Sequence, residues 1–184
     1  MTEQIYIALG SNLAAPRCRT PAETIESAIN ALQTDGLPVV RRSAVWLTEP
    51  VPVSDQPWYA NAVIETACTD EPAALMTRLH RLESEFRRVR SVPNAARTLD
   101  LDLLDYAGQV SKTDQDWPHL PHPRLQDRAF VLLPLQEIAP DWKHPQSRLR
   151  IGDLVAALDP SQKATRIEPD PLRFQHPGLY LSPT

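Results

Sequence analysis

Two aspartates, two residues apart, are where this sequence first suggests chemistry. In Arg97-Thr98-Leu99-Asp100-Leu101-Asp102-Leu103-Leu104, apolar residues alternate with charge at period two, the pattern of a strand. Successive strand side chains point to opposite faces, so Leu99, Leu101 and Leu103 share one face. Asp100 and Asp102 share the other, with Cα atoms about 6–7 Å apart. Two carboxylates converging beside an arginine are hard-oxygen ligands for Mg²⁺, the usual company of phosphoryl-transfer chemistry. Taken alone, Asp-Leu-Asp is equally an amphipathic strand with a wetted polar face. A basic cluster, Arg87-Arg88-Val89-Arg90, precedes it, and Asn61 lies in an otherwise β-forming stretch where propensity disfavours it. A buried Asn needs a partner for its amide, so Asn61 belongs at an exposed edge or against a polar ligand.

The elements that must position these groups follow from periodicity. Gln4–Leu9 reads as a buried strand ended by Gly10-Ser11-Asn12, which by itself is only a turn. Thr20-Pro21-Ala22-Glu23 is a helix start with a capping box, followed by an apolar stripe of Ile25, Ala28, Ile29 and Leu32 that runs toward Asp35-Gly36. Val39–Thr48 reads as a strand with imperfect alternation. A proline-rich loop, 49–58, leads into a third strand, Tyr59–Thr66. A second helix opens at Pro72 and carries Leu75, Leu79, Leu82, Phe86 and Val89 on its buried side, with Glu83 and Arg87 spaced to pair on the other. The aspartate strand runs on to about Tyr106. A short helix over 127–135, broken or kinked near Pro134, and a last helix over 151–158 complete the body. The order β-α-β-β-α-β predicts an α+β, ferredoxin-like antiparallel sheet with helices on one face, plus C-terminal helical additions. Residues 1–158 read as the domain and 159–184 as a proline-rich tail, extended along the body or partly disordered.

Composition narrows the function. The chain has 184 residues, 42% hydrophobic and 23% charged, which suits one soluble domain with a sizeable core. No apolar run approaches a membrane span, and the N-terminus lacks a signal-peptide pattern, so the expected location is cytoplasmic. A net charge of −4 gives no global footprint for nucleic acid. Cys18 and Cys68 have no metal or redox spacing. Nineteen prolines against five glycines, falling between periodic segments, point to long stiffened loops.

The motifs, taken together and in order, resemble the 6-hydroxymethyl-7,8-dihydropterin pyrophosphokinase family. They are Tyr6-Ile7-Ala8-Leu9-Gly10-Ser11-Asn12-Leu13, Thr48-Glu49-Pro50, Gln56-Pro57-Trp58-Tyr59-Ala60-Asn61-Ala62, Arg88-Val89-Arg90, Arg97-Thr98-Leu99-Asp100-Leu101-Asp102, and Pro121-His122-Pro123-Arg124 with Arg128-Ala129-Phe130. The resemblance implies transfer of pyrophosphate from ATP to the pterin's hydroxymethyl oxygen, leaving AMP. It implies that Asp100 and Asp102 hold two Mg²⁺ ions and that Arg88 and Arg97 clamp phosphate. His80, Glu83, Arg90, Leu103 (through its backbone), His122 and Arg128 would contact ATP. Thr48, Val51, Tyr59, Asn61 and Phe130 would form the pterin pocket. The implied partners are these small molecules, with no nucleic acid or membrane, in a monomer or weak homo-oligomer.

The sequence also departs from the family pattern. The loop 91–96 is short and lacks the family's usual aromatic, Pro52 replaces a common glycine, and Trp117 stands near a position that often carries a basic ATP contact. The altered loop motivates a second reading, a non-catalytic or altered-specificity paralogue that binds pterin or nucleotide. A nucleotidyl-transferase palm and an RNA-binding sheet rank lower: no third acidic motif is present, nor are aromatic pairs on adjacent strands.

Overall fold

The computed structural model describes residues 4–50, 54–88, 96–113 and 115–167. The central sheet contains β1 (Ile5–Ser11), β2 (Val39–Arg42), β3 (Trp46–Thr48), β4 (Tyr59–Thr66), β5 (Asp100–Tyr106) and β6 (Ala164–Arg166). Its order is β5-β1-β4-β3-β6, with β2 also on β4, and every pairing is antiparallel. The stretch 39–48, expected as one strand, is two. Ser43 interrupts it: its N–H donates to Val63 O at 2.9 Å, but the Val63 N–H goes to the Ser43 hydroxyl, at 3.0 Å, instead of to a backbone carbonyl. A side chain that bonds to the neighbouring strand's backbone competes with the ladder and accounts for the imperfect alternation.

The helices α1 (Pro21–Thr34) and α2 (Pro72–Glu85) cover one face of the sheet. Ile25, Ala28, Ile29 and Leu32 of α1, with Leu75, Leu79 and Leu82 of α2, pack on Ile5, Ile7, Leu9, Leu99, Leu101 and Leu103. Thr20 caps α1 by accepting the Glu23 N–H at 3.1 Å. The reciprocal half of the expected capping box shifts by one residue: the Glu23 carboxylate takes the Arg19 N–H at 2.7 Å. The additions α3 (Ala129–Ile138) and α4 (Ile151–Ala156) lie on the opposite face against Tyr6, Ala8, Val63 and Leu104. The face that carries the aspartates is therefore half roofed by helix rather than enclosed by loops alone. Of the break or kink expected near Pro134, the break does not occur. Helix α3 continues through it because Val131, Leu132, Leu135 and Ile138 are all buried. Packing on several sides outweighs the one hydrogen bond the proline removes.

A bulge re-aims the end of β5. Ile7 pairs with Leu103 but Tyr6 pairs with Asp105, so Leu104 is an extra residue. Leu104 and Asp105 both fall on the α3 side, and Tyr106 returns to the core face. Asp105 is buried there, accepting from Trp142 Nε1 at 2.8 Å and the Gly108 N–H at 2.9 Å. Burial pushes its carboxyl above the usual range, and these two bonds and the nearby His144 only partly offset that. A raised folded pKa makes this group's contribution to stability greatest below the unfolded carboxylate value, and the contribution is lost as pH rises through the folded value. Asp105→Asn cannot ionise. The melting temperature of wild type minus that of Asp105→Asn should therefore fall between about pH 3.5 and 7. Thermal melts across that range check this, and a difference that stays flat or grows with pH contradicts it.

Candidate active site

Three adjacent strands, β4, β1 and the edge strand β5, bring the chemistry-bearing residues into one line. In β1, Gly10 pairs with Asn61 of β4 on one side and with Asp100 of β5 on the other, and Ala8 pairs with Asp102. Small residues in the middle strand leave a floor, and the flanking side chains rise from it to form a cleft of about 280 Å³. A Cβ on Gly10 would sit 3.2 Å from Asn61 Oδ1 and 3.8 Å from Asp100 Cβ, so this glycine keeps the two walls at their spacing.

One wall is charged. Asp100 lies between two guanidiniums, with Arg88 Nη1 2.6 Å from Oδ1 and Arg97 Nη1 2.6 Å from Oδ2. The turn that ends α2 delivers Arg88. Arg87 adopts a left-handed conformation (φ 58°). The Arg87 N–H then bonds to Ser84 O, and the Arg88 N–H returns to Glu83 O, both at 3.0 Å. This is a Schellman closure with arginine where glycine is usual. Arg88 also pairs with the Glu83 carboxylate. The expected Glu83–Arg87 pair is thus replaced by Glu83–Arg88, because the helix stops at Glu85 and Arg87 turns away. Asp102 is differently placed: among the described residues Arg128 Nη1 pairs with it at 3.8 Å and His122 Nε2 lies at 3.9 Å. Burial, and then the charge of Asp100, hold its carboxyl above the ordinary range. His122 Nδ1 accepts the Arg124 N–H at 3.2 Å, which places its ring proton on Nε2, toward Asp102. Burial lowers the His122 pKa despite Asp102, so neutral imidazole is favoured.

The other wall is flat and polar. Tyr59, Asn61, Thr48 and Phe130 line it. Asn61 is buried in a central strand and donates from Nδ2 to Thr48 Oγ1 at 2.8 Å. That bond orients the amide, with Oδ1 beside Gly10. Arg128 lies over the Phe130 ring, 5.2 Å from its centroid.

Of the residues expected in the site, Arg88, Arg97, Asp100, Asp102, His122, Arg128, Thr48, Tyr59, Asn61 and Phe130 all line the cleft. Three others lie elsewhere. Glu83 is buried, with Oε1 receiving the Leu101 N–H at 2.8 Å. Leu103, expected to act through its backbone, has its side chain in the core. His80 is stacked at a tilt on Trp117, with ring centroids 6.0 Å apart. Val51 and Arg90, like Pro52 and residues 91–95 of the altered loop, lie outside the described residues.

Sequence reasoning gave no role to Gln56, Glu49, Ser54 or Arg124, which also line the cleft, nor to Asn12. Asn12 is the tie between loops. Its Oδ1 accepts the Arg97 N–H at 2.8 Å, its own N–H bonds to Arg97 O at 3.1 Å, and its Nδ2 donates to Gln56 Oε1 at 3.1 Å. Its signals in the sequence were a turn-forming position at the end of a buried strand and its place in the motif Tyr6–Leu13, neither of which assigned it a role.

A sheet that gathers paired carboxylates, phosphate-matching guanidiniums and a ring-sized polar slot in one cleft defines a phosphoryl-transferring α+β protein. Residues 6–140 match the model of the family described as 7,8-dihydro-6-hydroxymethylpterin-pyrophosphokinase. The 2-amino-4-hydroxy-6-hydroxymethyldihydropteridine pyrophosphokinase of Pseudomonas aeruginosa is 39% identical over 162 residues, covering 85% of this chain and 93% of that one. The enzyme of the same name from Haemophilus influenzae is 38% identical, with 82% and 89% covered. A crystal structure of Plasmodium falciparum HPPK-DHPS with pteroate shares the fold at a TM-score of 0.63 and 11% identity, over 85% of this chain and 43% of that chain. The chain belongs to the 7,8-dihydro-6-hydroxymethylpterin-pyrophosphokinase family, whose reaction is pyrophosphoryl transfer from ATP to the hydroxymethyl group of the pterin, a step of folate synthesis. No helix among the described residues is long and apolar enough to cross a membrane.

Two substitutions test the geometry. Gly10→Ala must displace the Asn61 amide by a few tenths of an ångström. It should raise KM for the pterin more than KM for ATP in steady-state assays. Asn12→Ala frees both the Arg97 turn and the Gln56 loop. It should lower kcat/KM by about 10–100-fold, as misplacement of reacting groups does. A variant with wild-type kinetics would show that Asn12 is not what positions Arg97.

Proposed function

We propose that this chain catalyses that transfer at the cleft between β4 and β5, with the pterin against the Asn61 wall and the triphosphate across the Asp100–Asp102 wall. The observation that carries the reading is the line Asn61–Gly10–Asp100 across three adjacent strands. It sets a slot for a flat hydrogen-bonding ring directly beside the acidic and basic cluster. A pterin needs apolar faces and a few aimed polar groups. Tyr59 and Phe130 supply the faces, and Asn61, oriented by Thr48, supplies an amide to pair with the ring's donors and acceptors. At about 280 Å³ the cleft falls slightly below the usual ~300–1,000 Å³ of ligand sites. It suits one bicyclic ring, so the nucleotide extends outward along Arg88, Arg97 and His122.

The residues fit Mg²⁺, since a hard cation that keeps waters and substrate oxygens in its shell needs only one or two protein carboxylates. Among the described residues no three His, Cys, Asp or Glu side chains gather as a ligand set. Asp102, whose carboxyl is raised by burial beside Asp100, is the group a cation would relieve. Asp100 and Asp102 would hold the metal, taken as two ions, and bound metal would supply positive charge to the phosphate oxygens. Arg88 and Arg97, now paired with Asp100 and, for Arg88, also with Glu83, would turn their forks to phosphate oxygens. They would stabilise the charge that develops as the hydroxymethyl oxygen attacks the β-phosphorus and AMP leaves. Arg128 and His122 bound the acidic wall.

With ATP, Mg²⁺ and 6-hydroxymethyl-7,8-dihydropterin, the protein should form AMP only when the pterin is present, and Asp100→Ala/Asp102→Ala should abolish it. Arg88→Ala and Arg97→Ala should each lower kcat by about 10²–10³-fold, the scale for losing one preorganised charge donor. Nucleotide chromatography reads all of these. ADP as the product, or no pterin-dependent product from wild type, would overturn the assignment.

A further inference from the structure

The segment after α4 lies beyond the stretch that matches the family, yet it touches both walls of the cleft. Strand β6 pairs with β3, Thr48 opposite Ala164, so it backs the residue that orients Asn61. The Glu49 N–H continues this ladder to Lys163 O at 3.3 Å. One residue earlier, Gln162 reaches the other wall. Its Oε1 accepts the Ala129 N–H and its Nε2 donates to Asp127 O, both at 2.9 Å.

Those two bonds bracket Arg128. They also replace a missing local device: helix α3 begins with Arg128 at its N-cap, which makes no side-chain capping bond. The first N–H groups of a helix have no partner within it, and an uncapped start frays. Gln162 supplies the cap from 33 residues away. The helix start it fixes carries Arg128, beside Asp102, and Phe130, on the ring-binding wall. Farther along α3, Arg166 of β6 pairs with Glu137 at 3.2 Å, so the same segment holds this helix at two points.

We infer that residues 159–166 are a strap that sets the width of the cleft, and that Gln162 is a positioning residue for Arg128 and Phe130. The inference rests on the function proposed above for that cleft. It assigns Gln162 to neither substrate; Gln162 acts only through the start of α3.

The test uses the full chain with Gln162→Ala and Gln162→Met, the second keeping length and apolar packing while removing both hydrogen bonds. Steady-state kinetics and amide hydrogen exchange are read together. Both variants should lose about tenfold in kcat/KM for ATP and for the pterin alike, since the two affected side chains face different substrates. The Ala129 amide should exchange faster in both. Wild-type kinetics in Gln162→Met, or an Ala129 amide as protected as in wild type, would overturn the inference and leave Gln162 a packing residue. Should Gln162→Ala fold poorly, Gln162→Met alone decides. Wild type that releases no AMP would count against the proposed function, while the exchange of Ala129 still tests the strap.

Discussion

The structure depends on one uneven balance of charge. Asp100 and Asp102 project from the same face of β5 into a partly enclosed cleft; Arg88 and Arg97 hold Asp100 at 2.6 Å each, whereas the guanidinium that pairs with Asp102 among the described residues, Arg128, stands off at 3.8 Å. His122, favoured neutral, lies 3.9 Å from Asp102 and adds no full charge there. Placing two carboxylates in such surroundings costs stability unless opposite charge is supplied. The fold supplies it closely to Asp100, from the end of α2 and from the turn before β5, and more loosely to Asp102, from Arg128 at the start of α3. That arrangement is poor design for stability alone and good design for binding a polyanion together with its cation.

Most of the scaffold follows from this requirement. Carboxylates are forced to one face because β5 is a regular strand there. The bulge at Leu104 comes only after both have been placed, where it diverts Asp105 to a separate buried contact with Trp142. Small residues at 8 and 10 in β1 let the walls approach. Asn12, at the end of the same strand, ties together the turns that carry Arg97 and Gln56. The side of the sheet opposite the cleft is an ordinary apolar layer under α1 and α2.

How much of this was legible in the sequence depended on whether the information was local. The alternation of Leu99 to Leu103 with Asp100 and Asp102 is a period-two pattern that a single strand settles, and it held residue for residue. The stripe of α1 and its Thr20 cap were legible for the same reason. Where a distant partner decided the outcome, the sequence was silent or misleading. Glu83 was spaced to pair with Arg87, but a left-handed residue after the helix turned Arg88 back instead. Pro134 read as a break, yet contacts on several sides of α3 carried the helix through it. Gln162 and the strand that follows it sit in a proline-rich stretch with no apolar period, and their role exists only because β3 and α3 offer free backbone groups nearby. The family resemblance located most cleft residues because it encodes such distant pairings indirectly.

The most direct test of the central claim is a crystal structure of the protein with Mn²⁺, a non-hydrolysable ATP analogue and 6-hydroxymethyl-7,8-dihydropterin, read by anomalous scattering. The account predicts a metal peak ligated by both Asp100 and Asp102, with the pterin ring between Tyr59 and Phe130 and its polar edge on Asn61. Metal bound elsewhere, with these two carboxylates still facing only Arg88, Arg97 and Arg128, would contradict it.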